Sequence, residues 1–309
     1  MSRRGWLLFA AMGVIWGVPY LLIKVAVADL TPAVLVFLRT ATGAVILLPL
    51  AAAQGALRPL LARWRWVLVY TVVEVAVPWM LLSDAERHIS SSLAGLLVAA
   101  VPFVGAIIAV LTGGEDRLDG RRLAGLLVGF VGVGTLVGFD LGHGSVGAIV
   151  EIAVVVIGYA LGPVVITRRL SGTPAVGVVV ASLVLTALVY APVGVLQLPH
   201  SAPPLKVILA IAALGVVCTA LAFLLFFALI GEVGPVRATV ITYVNPAVAL
   251  ALGVVVLAEP LTPSAVAGFA LILAGMVLAT RRNVSRRPPP ARRDPQPSRE
   301  REPVAAATP

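Results

Sequence analysis

The chain has 309 residues, of which 60% are hydrophobic and only 12% are charged, and its mean hydropathy is +1.05. Soluble globular proteins carry roughly 25% charged residues, so this composition excludes a protein that faces water on all sides. The net charge of +9 does not indicate a nucleic-acid partner, because the eight arginines and three acidic residues of segment 281–309 account for +5 of it. We therefore predict an all-α membrane protein.

Ten apolar runs are predicted to be membrane-spanning helices. They cover residues 6–27, 32–53, 65–84, 89–112, 121–139, 145–168, 174–196, 205–230, 234–257 and 262–280. The first run also has features of a secretory signal peptide, but it is long for one and contains Pro19 and Lys24, so we interpret it as a span. Segment 281–309 is rich in Pro and Arg and is predicted to be a disordered cytoplasmic tail.

The positions of Lys and Arg orient these helices, because cytoplasmic loops carry an excess of both. With the N-terminus inside, the outer loops hold only Arg87 and Lys206. The cytoplasmic set outside the tail is Arg3, Arg4, Arg58, Arg63, Arg65, Arg117, Arg121, Arg122, Arg168, Arg169 and Arg237. This pattern predicts that both termini are cytoplasmic.

Two stretches of the chain share one plan. Pro102 precedes Glu115 by thirteen residues, and Pro246 precedes Glu259 by the same interval. Two glycines follow each acidic turn at similar spacing, namely Gly125 and Gly132 in the first stretch and Gly268 and Gly275 in the second. Five spans repeated once place the second copy upside down in the membrane. We therefore predict two inverted repeats of five helices each, 1–139 and 140–280.

Four ionisable residues fall inside predicted spans, where a charge at the helix centre costs about 2.5–3.5 kcal/mol. Glu74 lies in the middle of the third span, and desolvation favours its neutral form, so it is a candidate proton carrier. Glu151, in the outer part of the sixth span, is the second candidate for proton coupling. Lys24 and Arg39 are the intramembrane cations.

Each of these four residues also has a structural interpretation. Glu74 can pair with Arg39, or it can be a neutral acid hydrogen-bonded to a neighbouring helix, and Glu151 can simply reach interfacial water. Arg39 is expected to serve helix packing more than substrate binding. Lys24 is expected to extend outward to the interface.

Six aromatic and amide side chains form the predicted substrate-binding set, because they lie within spans and away from the interfaces where Trp and Tyr are enriched. They are Trp16, Tyr20, Trp79, Tyr159, Tyr243 and Asn245. Asn245 precedes Pro246, which leaves a helix carbonyl unpaired. Glu115 and Glu259 are instead expected to make helix-end or gating contacts.

Several loose motifs occur in a fixed order between residues 5 and 280. They are Trp16-Gly17, Lys24, Arg39, Pro102, the Gly-Glu-x-x-Leu of Gly114 to Leu118, Pro246, Glu259-Pro260-Leu261, Gly268 and Gly275. In order and spacing they resemble the ten-helix EamA-type members of the drug/metabolite transporter superfamily. Asp116 departs from the family pattern, because Arg is common at that position, and His88-Ile89-Ser90 replaces a small-residue pattern.

This resemblance implies a secondary carrier with a central cavity between two halves, usually an exporter of amino acids or other small metabolites. It does not extend to Glu74 and Glu151, whose roles depend on the physical argument above. We therefore predict an exporter that works by alternating access, with proton coupling as a hypothesis. Its predicted partners are a small-molecule substrate and the lipid bilayer, with the chain a monomer or homodimer.

Other classes of function are less favoured. A multidrug or cation efflux carrier and a uniporter are the alternatives within transport. A membrane enzyme acting on lipid needs His or carboxylate clusters at one interface, and His88, His143 and His200 are scattered. A channel needs rings of polar residues along a pore. No enzymatic activity, cofactor or metal is predicted.

Overall fold

A computed structural model describes residues 2–111, 120–140, 146–234 and 238–280. Over these ranges the chain forms helices joined by short turns and contains no β-strand, so the predicted all-α class is confirmed. We number the helical segments in chain order. They are α1 Arg3–Ala26, α2 Pro32–Ala53, α3 Arg58–His88, α4 Ser91–Leu111, α5 Gly120–Asp140, α6 Val146–Arg169, α7 Ala175–Leu196, α8 Leu205–Val233, α9 Ile241–Leu257 and α10 Pro263–Thr280.

Seven of the segments, α1 to α4 and α6 to α8, are long and apolar enough to cross a membrane. The other three, α5, α9 and α10, contain shorter apolar stretches. Each of the ten predicted runs coincides with one segment, which supports a multi-pass membrane protein. The predicted turn at Glu115 and the predicted tail at 281–309 lie outside the described residues.

Three prolines stand where helices break and restart, because proline lacks an N–H and clashes with the preceding turn, whereas Pro49, Pro163 and Pro192 lie inside continuous α-helices. In α1 the helix stops at Trp16 and restarts at Pro19. In α4 it restarts at Val101, just before Pro102. In α9 a 3₁₀ turn precedes the α-helix that begins at Asn245-Pro246. The two prolines of the repeated stretches therefore stand at equivalent breaks.

Two helices also contain a π-helical segment, a rare widening of the helix that often occurs at functional sites. These segments are Thr71–Ala76 in α3 and Ala213–Leu221 in α8. The first packs against α6 and α7, and the second packs against α2. The Tyr190 hydroxyl of α7 donates to the Ala76 carbonyl at 3.0 Å, which gives the end of the first segment a hydrogen-bond partner.

The helices of the first half pack against those of the second. The main pairs are α1–α8, α2–α7, α3–α6, α4–α9 and α5–α10. The two predicted repeats therefore share one core and are not separate globular units. The predicted boundary between residues 139 and 140 stays a prediction.

Helices α5 and α10 meet through the glycines of the repeated stretches. A Cβ on Gly132 would lie 2.8 Å from the Gly268 carbonyl oxygen, and a Cβ on Gly275 would lie 2.6 Å from the Gly125 carbonyl oxygen. Only glycine permits such close backbone contact. Because the earlier glycine of each helix meets the later glycine of the other, the two helices run antiparallel.

Contacts between loops and helix ends lie on two opposite faces of the helix bundle. On the first, which we call the basic face, Ser2 contacts Glu232, and the Arg63 guanidinium donates to the Ser171 carbonyl at 2.5 Å. Turns 27–31, 89–91, 197–204 and 258–262 lie on the opposite face, where the Thr31 hydroxyl donates to Gln197 at 2.6 Å. The described arginines of the basic face are Arg3, Arg4, Arg58, Arg63, Arg65, Arg121, Arg168 and Arg169.

Candidate substrate and proton site

Arg39 of α2 is 6% exposed and is held by aromatic and hydroxyl partners. Its guanidinium carbon lies 3.7 Å from the centroid of the Trp79 ring, and its Nε donates to the Thr219 hydroxyl at 3.0 Å. The Thr219 hydroxyl in turn donates to the Leu214 carbonyl within the π-helical segment of α8. A cation over an indole face is worth about 2 kcal/mol when it is desolvated. Arg39 thus connects α2, α3 and α8.

Tyr20 of α1 and Tyr159 of α6 complete the surroundings of Arg39. The Trp79 side chain lies against the Tyr159 hydroxyl, and both tyrosines interact electrostatically with Arg39. We call Tyr20, Arg39, Trp79 and Tyr159 the central cluster. Tyr20 and Trp79 are each 8% exposed and Tyr159 is partly buried, so three of the four side chains of the cluster are buried in this conformation.

Glu74 lies in the π-helical segment of α3 and points at α6. A Cβ on Gly162 would collide with its carboxyl group, and a Cβ on Gly158 would collide with the Val73 carbonyl. The Glu74 carboxyl therefore enters the helix interface only because α6 presents glycine there. Its Oε2 is buried without a hydrogen-bond partner, and it lies close to Tyr159. The alternative of a Glu74–Arg39 ion pair is not realised, because Arg39 contacts other partners.

Three members of the predicted substrate-binding set lie outside the central cluster. Trp16 packs on the Phe226 ring of α8, with centroids 4.7 Å apart. Asn245, with its amide nitrogen turned toward α1, donates to the Gly13 carbonyl at 3.1 Å and to the Ile241 carbonyl at 3.0 Å. Tyr243 packs against the main hydrophobic core. These contacts give Trp16 and Asn245 helix-packing roles.

Glu151 is also separate from the central cluster. It is the sixth residue of α6 and is partly exposed. Its carboxyl group faces Asp84 of α3, with His88 nearby. Its Oε2 is nevertheless buried without a hydrogen-bond partner, so a role in proton coupling stays a prediction.

Lys24 does not simply extend outward. Its ammonium group donates to the backbone carbonyls of Glu86 at 2.5 Å and of Ile89 at 2.8 Å. These are carbonyls of the last turn of α3, which lack helical partners, and a cation at a helix C-terminus also interacts favourably with the helix dipole. Lys24 therefore caps α3 from α1.

Glu86 is a functional candidate that sequence reasoning missed. It is fully buried, with 0% exposure, and neither carboxyl oxygen makes a well-formed hydrogen bond to a described residue. The third predicted span ends at residue 84, whereas α3 continues to His88. The signal that reveals it is helical spacing, because Trp79, Leu82 and Glu86 recur on one face of α3.

Glu259, in the turn between α9 and α10, caps the first turn of α4. Its Oε1 accepts from the Ser91 N–H at 2.8 Å and hydroxyl at 3.0 Å, and its Oε2 accepts from the Ser92 N–H at 2.9 Å and hydroxyl at 2.5 Å. Burial acts to raise the pKa of Glu259, but these four hydrogen bonds outweigh burial and hold the pKa below its ordinary value. The predicted helix-end contact of Glu259 is confirmed.

A cavity of about 330 Å³ opens on the face of these turns. Its lining comprises Lys24, Val27, Ala28, Glu86, Arg87 and His88. Among the described residues, no group of three or more His, Cys, Asp or Glu side chains is arranged to hold a metal ion.

A bundle of long apolar helices with a buried polar cluster at its helix breaks belongs to the class of membrane transport proteins. The model of the EamA-like transporter family matches residues 3–138 and, a second time, residues 147–281. The chain therefore belongs to the EamA-like transporter family, and the resemblance inferred from its motifs is confirmed. Membership implies a small-molecule substrate and a bilayer environment.

Two relatives carry transporter names. The chain is 26% identical over 281 residues to the uncharacterized transporter YvbV of Bacillus subtilis, covering 90% of this chain and 92% of the relative. It is 25% identical over 289 residues to an uncharacterized transporter of Archaeoglobus fulgidus, covering 90% and 99%. A solved protein crystal structure superimposes with a TM-score of 0.65 at 22% identity, over 91% of this chain and 97% of that one, which shows a shared fold.

Proposed function

We propose that the protein is a secondary-active carrier that exports amino acids or other small zwitterionic metabolites by alternating access, with proton coupling at Glu74. One observation carries this proposal. Arg39 and Glu74 have opposite charges and both lie close to Tyr159, yet they do not pair with each other. A buried guanidinium on Trp79 and a carboxyl near Tyr159 whose Oε2 is buried without a partner are complementary to a molecule that carries both charges.

The chemistry of each group supports this choice. A guanidinium binds a carboxylate through two parallel hydrogen bonds, and only the Nε of Arg39 is engaged by Thr219. A substrate ammonium can bind the Glu74 carboxylate and the faces of Trp79 and Tyr159. Substrate binding would then favour loss of the Glu74 proton, which couples proton movement to transport.

Two features support alternating access by inverted repeats. The antiparallel contact of α5 with α10 joins equivalent glycines of the two repeated stretches. The set of five helix pairs is also unchanged when α1 to α5 are exchanged, in order, with α6 to α10. For example, the pair α1–α8 becomes the pair α6–α3. Inverted repeats place a substrate site between the halves, and the central cluster takes residues from α1, α2 and α3 of the first half and from α6 of the second.

Charge distribution supports an orientation. The described arginines concentrate on the basic face, and the opposite face holds Arg87 and Lys206. Because basic residues remain in the cytoplasm, we assign the basic face and both termini to the cytoplasmic side of the inner membrane. Lys24, Glu86 and Glu259 then lie toward the outside.

Efflux of a cationic drug is the second candidate. The observation that favours it is the partnerless Glu74 carboxyl beside Tyr159, since a carboxylate with aromatic rings suits an organic cation. The two candidates differ in what they require of Arg39. A zwitterion needs its guanidinium, whereas a cation is repelled by it.

Counterflow in proteoliposomes tests both candidates. A panel of amino acids and cationic drugs is measured with and without a pH gradient, using the wild type, Arg39→Gln and Glu74→Gln. Arg65→Gln and Glu232→Gln are matched controls, because both residues are exposed and lie outside the central cluster.

We expect exchange of at least one amino acid that Arg39→Gln abolishes and both controls retain. Glu74→Gln should lose the effect of the pH gradient while it keeps passive exchange. Exchange of cations alone, undiminished in Arg39→Gln, would select the drug carrier. Exchange that is indifferent to pH and unchanged in Glu74→Gln would remove Glu74 from the mechanism and leave a uniporter.

A further inference from the structure

Glu86 lies where three helices and one loop bring charged groups together. Tyr20 and Lys24 face it from α1, Arg39 from α2 and Glu259 from the α9–α10 turn. Tyr159 faces it from α6. Asp84, Arg87 and His88 are its neighbours on α3 itself, and α4 contributes no titratable side chain. Two cations are therefore close enough to interact with this carboxyl.

Neither cation pairs with the Glu86 carboxyl. The Lys24 ammonium is directed to backbone carbonyls, one of which belongs to Glu86 itself. The Arg39 guanidinium is held by Trp79 and Thr219. Among the described residues the ion pair found is Arg87–Asp84, on the exposed side of α3. A fully buried carboxylate without a partner is costly, so this conformation is the one in which Glu86 carries a proton.

The cavity beside Lys24 gives this proton a route to water. Glu86 contributes to its lining, although the carboxyl oxygens themselves have no solvent exposure. The carboxyl oxygens are therefore closed to this cavity in the conformation described, and the end of α3 must move to expose them.

We propose that Glu86 is a second proton-binding site of the carrier, which releases its proton to water in the Lys24 cavity and then draws the Lys24 ammonium away from the end of α3. Release leaves a negative carboxylate in a medium of low dielectric, where the adjacent ammonium is its available partner. When Lys24 turns to the carboxylate, the Ile89 carbonyl loses its cap, and the α3–α4 turn is loosened because Glu259 alone then holds it. If this turn acts as a gate on the outer side of the carrier, that role rests on the transport function proposed above. The proton-linked motion of the turn does not depend on that function.

Thiol labelling of the turn tests this proposal without a substrate. In a Cys218→Ala background, Ile89→Cys places a thiol at a position that is 4% exposed, and Ala28→Cys places a reference thiol at an exposed position that also lines the cavity. A membrane-impermeant maleimide is applied at a series of pH values. The ratio of the two rates cancels the common increase in thiolate with pH.

We expect the ratio of Ile89→Cys to Ala28→Cys labelling to rise with pH, by at most about tenfold per pH unit for a one-proton switch. Adding Glu86→Gln should keep the ratio low at every pH, and adding Glu74→Gln should leave the rise unchanged. A ratio independent of pH, or a rise that persists in Glu86→Gln, would overturn the proposal.

A measurement on the wild type covers the case in which Glu86→Gln does not fold. A hydrophobic carbodiimide modifies protonated carboxyls in apolar surroundings, and peptide mass spectrometry locates the product. Modification of Glu86 should fall as pH rises over the range in which the labelling ratio increases. No modification at acid pH would contradict a protonated Glu86. Neither assay measures transport. If counterflow fails but the labelling ratio still depends on pH, the proposed transport function is contradicted and the proton-binding role of Glu86 is not.

Discussion

Lys24 and Glu259 hold opposite sides of the same turn. The Lys24 ammonium binds carbonyls at the end of α3, and the Glu259 carboxylate binds N–H groups of Ser91 and Ser92 at the start of α4. Each charge has the sign that the helix dipole favours at that end. The turn between α3 and α4 is therefore fixed by two charged side chains from distant parts of the chain.

The first prediction concerns the pH dependence of the Glu259 cap. Because its hydrogen bonds lower the pKa of Glu259 in the folded protein, the cap stabilises the protein fully above the unfolded pKa of about 4.3. That stability is lost as pH falls through the lower folded value. Thermal unfolding in detergent should show Glu259→Gln to be less stable than wild type by about 1–2 kcal/mol at neutral pH. The difference should vanish in acid.

The exposed Glu232 on the basic face is the control for this experiment, since Glu232→Gln should change stability by less than about 0.5 kcal/mol. Adding Ser92→Ala to Glu259→Gln should cost less than the sum of the two single changes, because both affect the hydrogen bond from the Ser92 hydroxyl to Glu259. A deficit of Glu259→Gln that stays constant down to acid pH would contradict the cap.

The second prediction concerns Lys24. Lys24→Met keeps most of the apolar stem but leaves the Glu86 and Ile89 carbonyls without their donor. We expect a loss of about 1–3 kcal/mol in thermal unfolding, the range for hydrogen bonds to a charged group. Lys206→Met, at an exposed position on the same face, should be neutral. Equal effects of the two changes would mean that Lys24 contributes only net charge.

Much of the helical architecture could be predicted from local pattern. Apolar runs locate the helices, and Pro102 and Pro246 mark equivalent breaks because proline acts on its own turn. The repeat also makes Gly125 and Gly132 visible in the sequence, although their contact with α10 was not predicted. Each helix break lies within a few residues of the proline that causes it.

The site depends on contacts that local pattern does not contain. Glu74 is accommodated because a glycine more than eighty positions later, Gly162, leaves room for its carboxyl. The amide of Asn245 donates to the carbonyl of Gly13, which lies more than two hundred positions earlier in the chain. Glu86 was missed because hydropathy falls before α3 ends. Which polar groups meet is decided by tertiary packing.

The third prediction concerns the contact of α5 with α10. A Cβ on Gly275 would lie 2.6 Å from both the Gly125 oxygen and the Gly129 nitrogen, and backbone cannot move aside as a side chain can. Gly275→Ala should therefore destabilise the protein by about 1–3 kcal/mol. Gly134→Ala in α5 is the matched control, because nothing lies within 4 Å of its Cβ. If the two variants unfold at the same temperature, the close contact is not present.

The last prediction concerns the Arg39–Trp79 contact. A double-mutant cycle of Arg39→Gln and Trp79→Leu, measured by thermal unfolding, isolates the pairwise energy from the separate costs of each change. With the guanidinium 3.7 Å from the ring centroid and the pair largely buried, we expect a coupling of about 2 kcal/mol. The exposed pair Arg65 and Trp64, 5.5 Å apart, should couple by less than about 1 kcal/mol. If the Arg39–Trp79 coupling is no larger than this, the guanidinium does not lie on the indole, and the buried arrangement of the central cluster is incorrect.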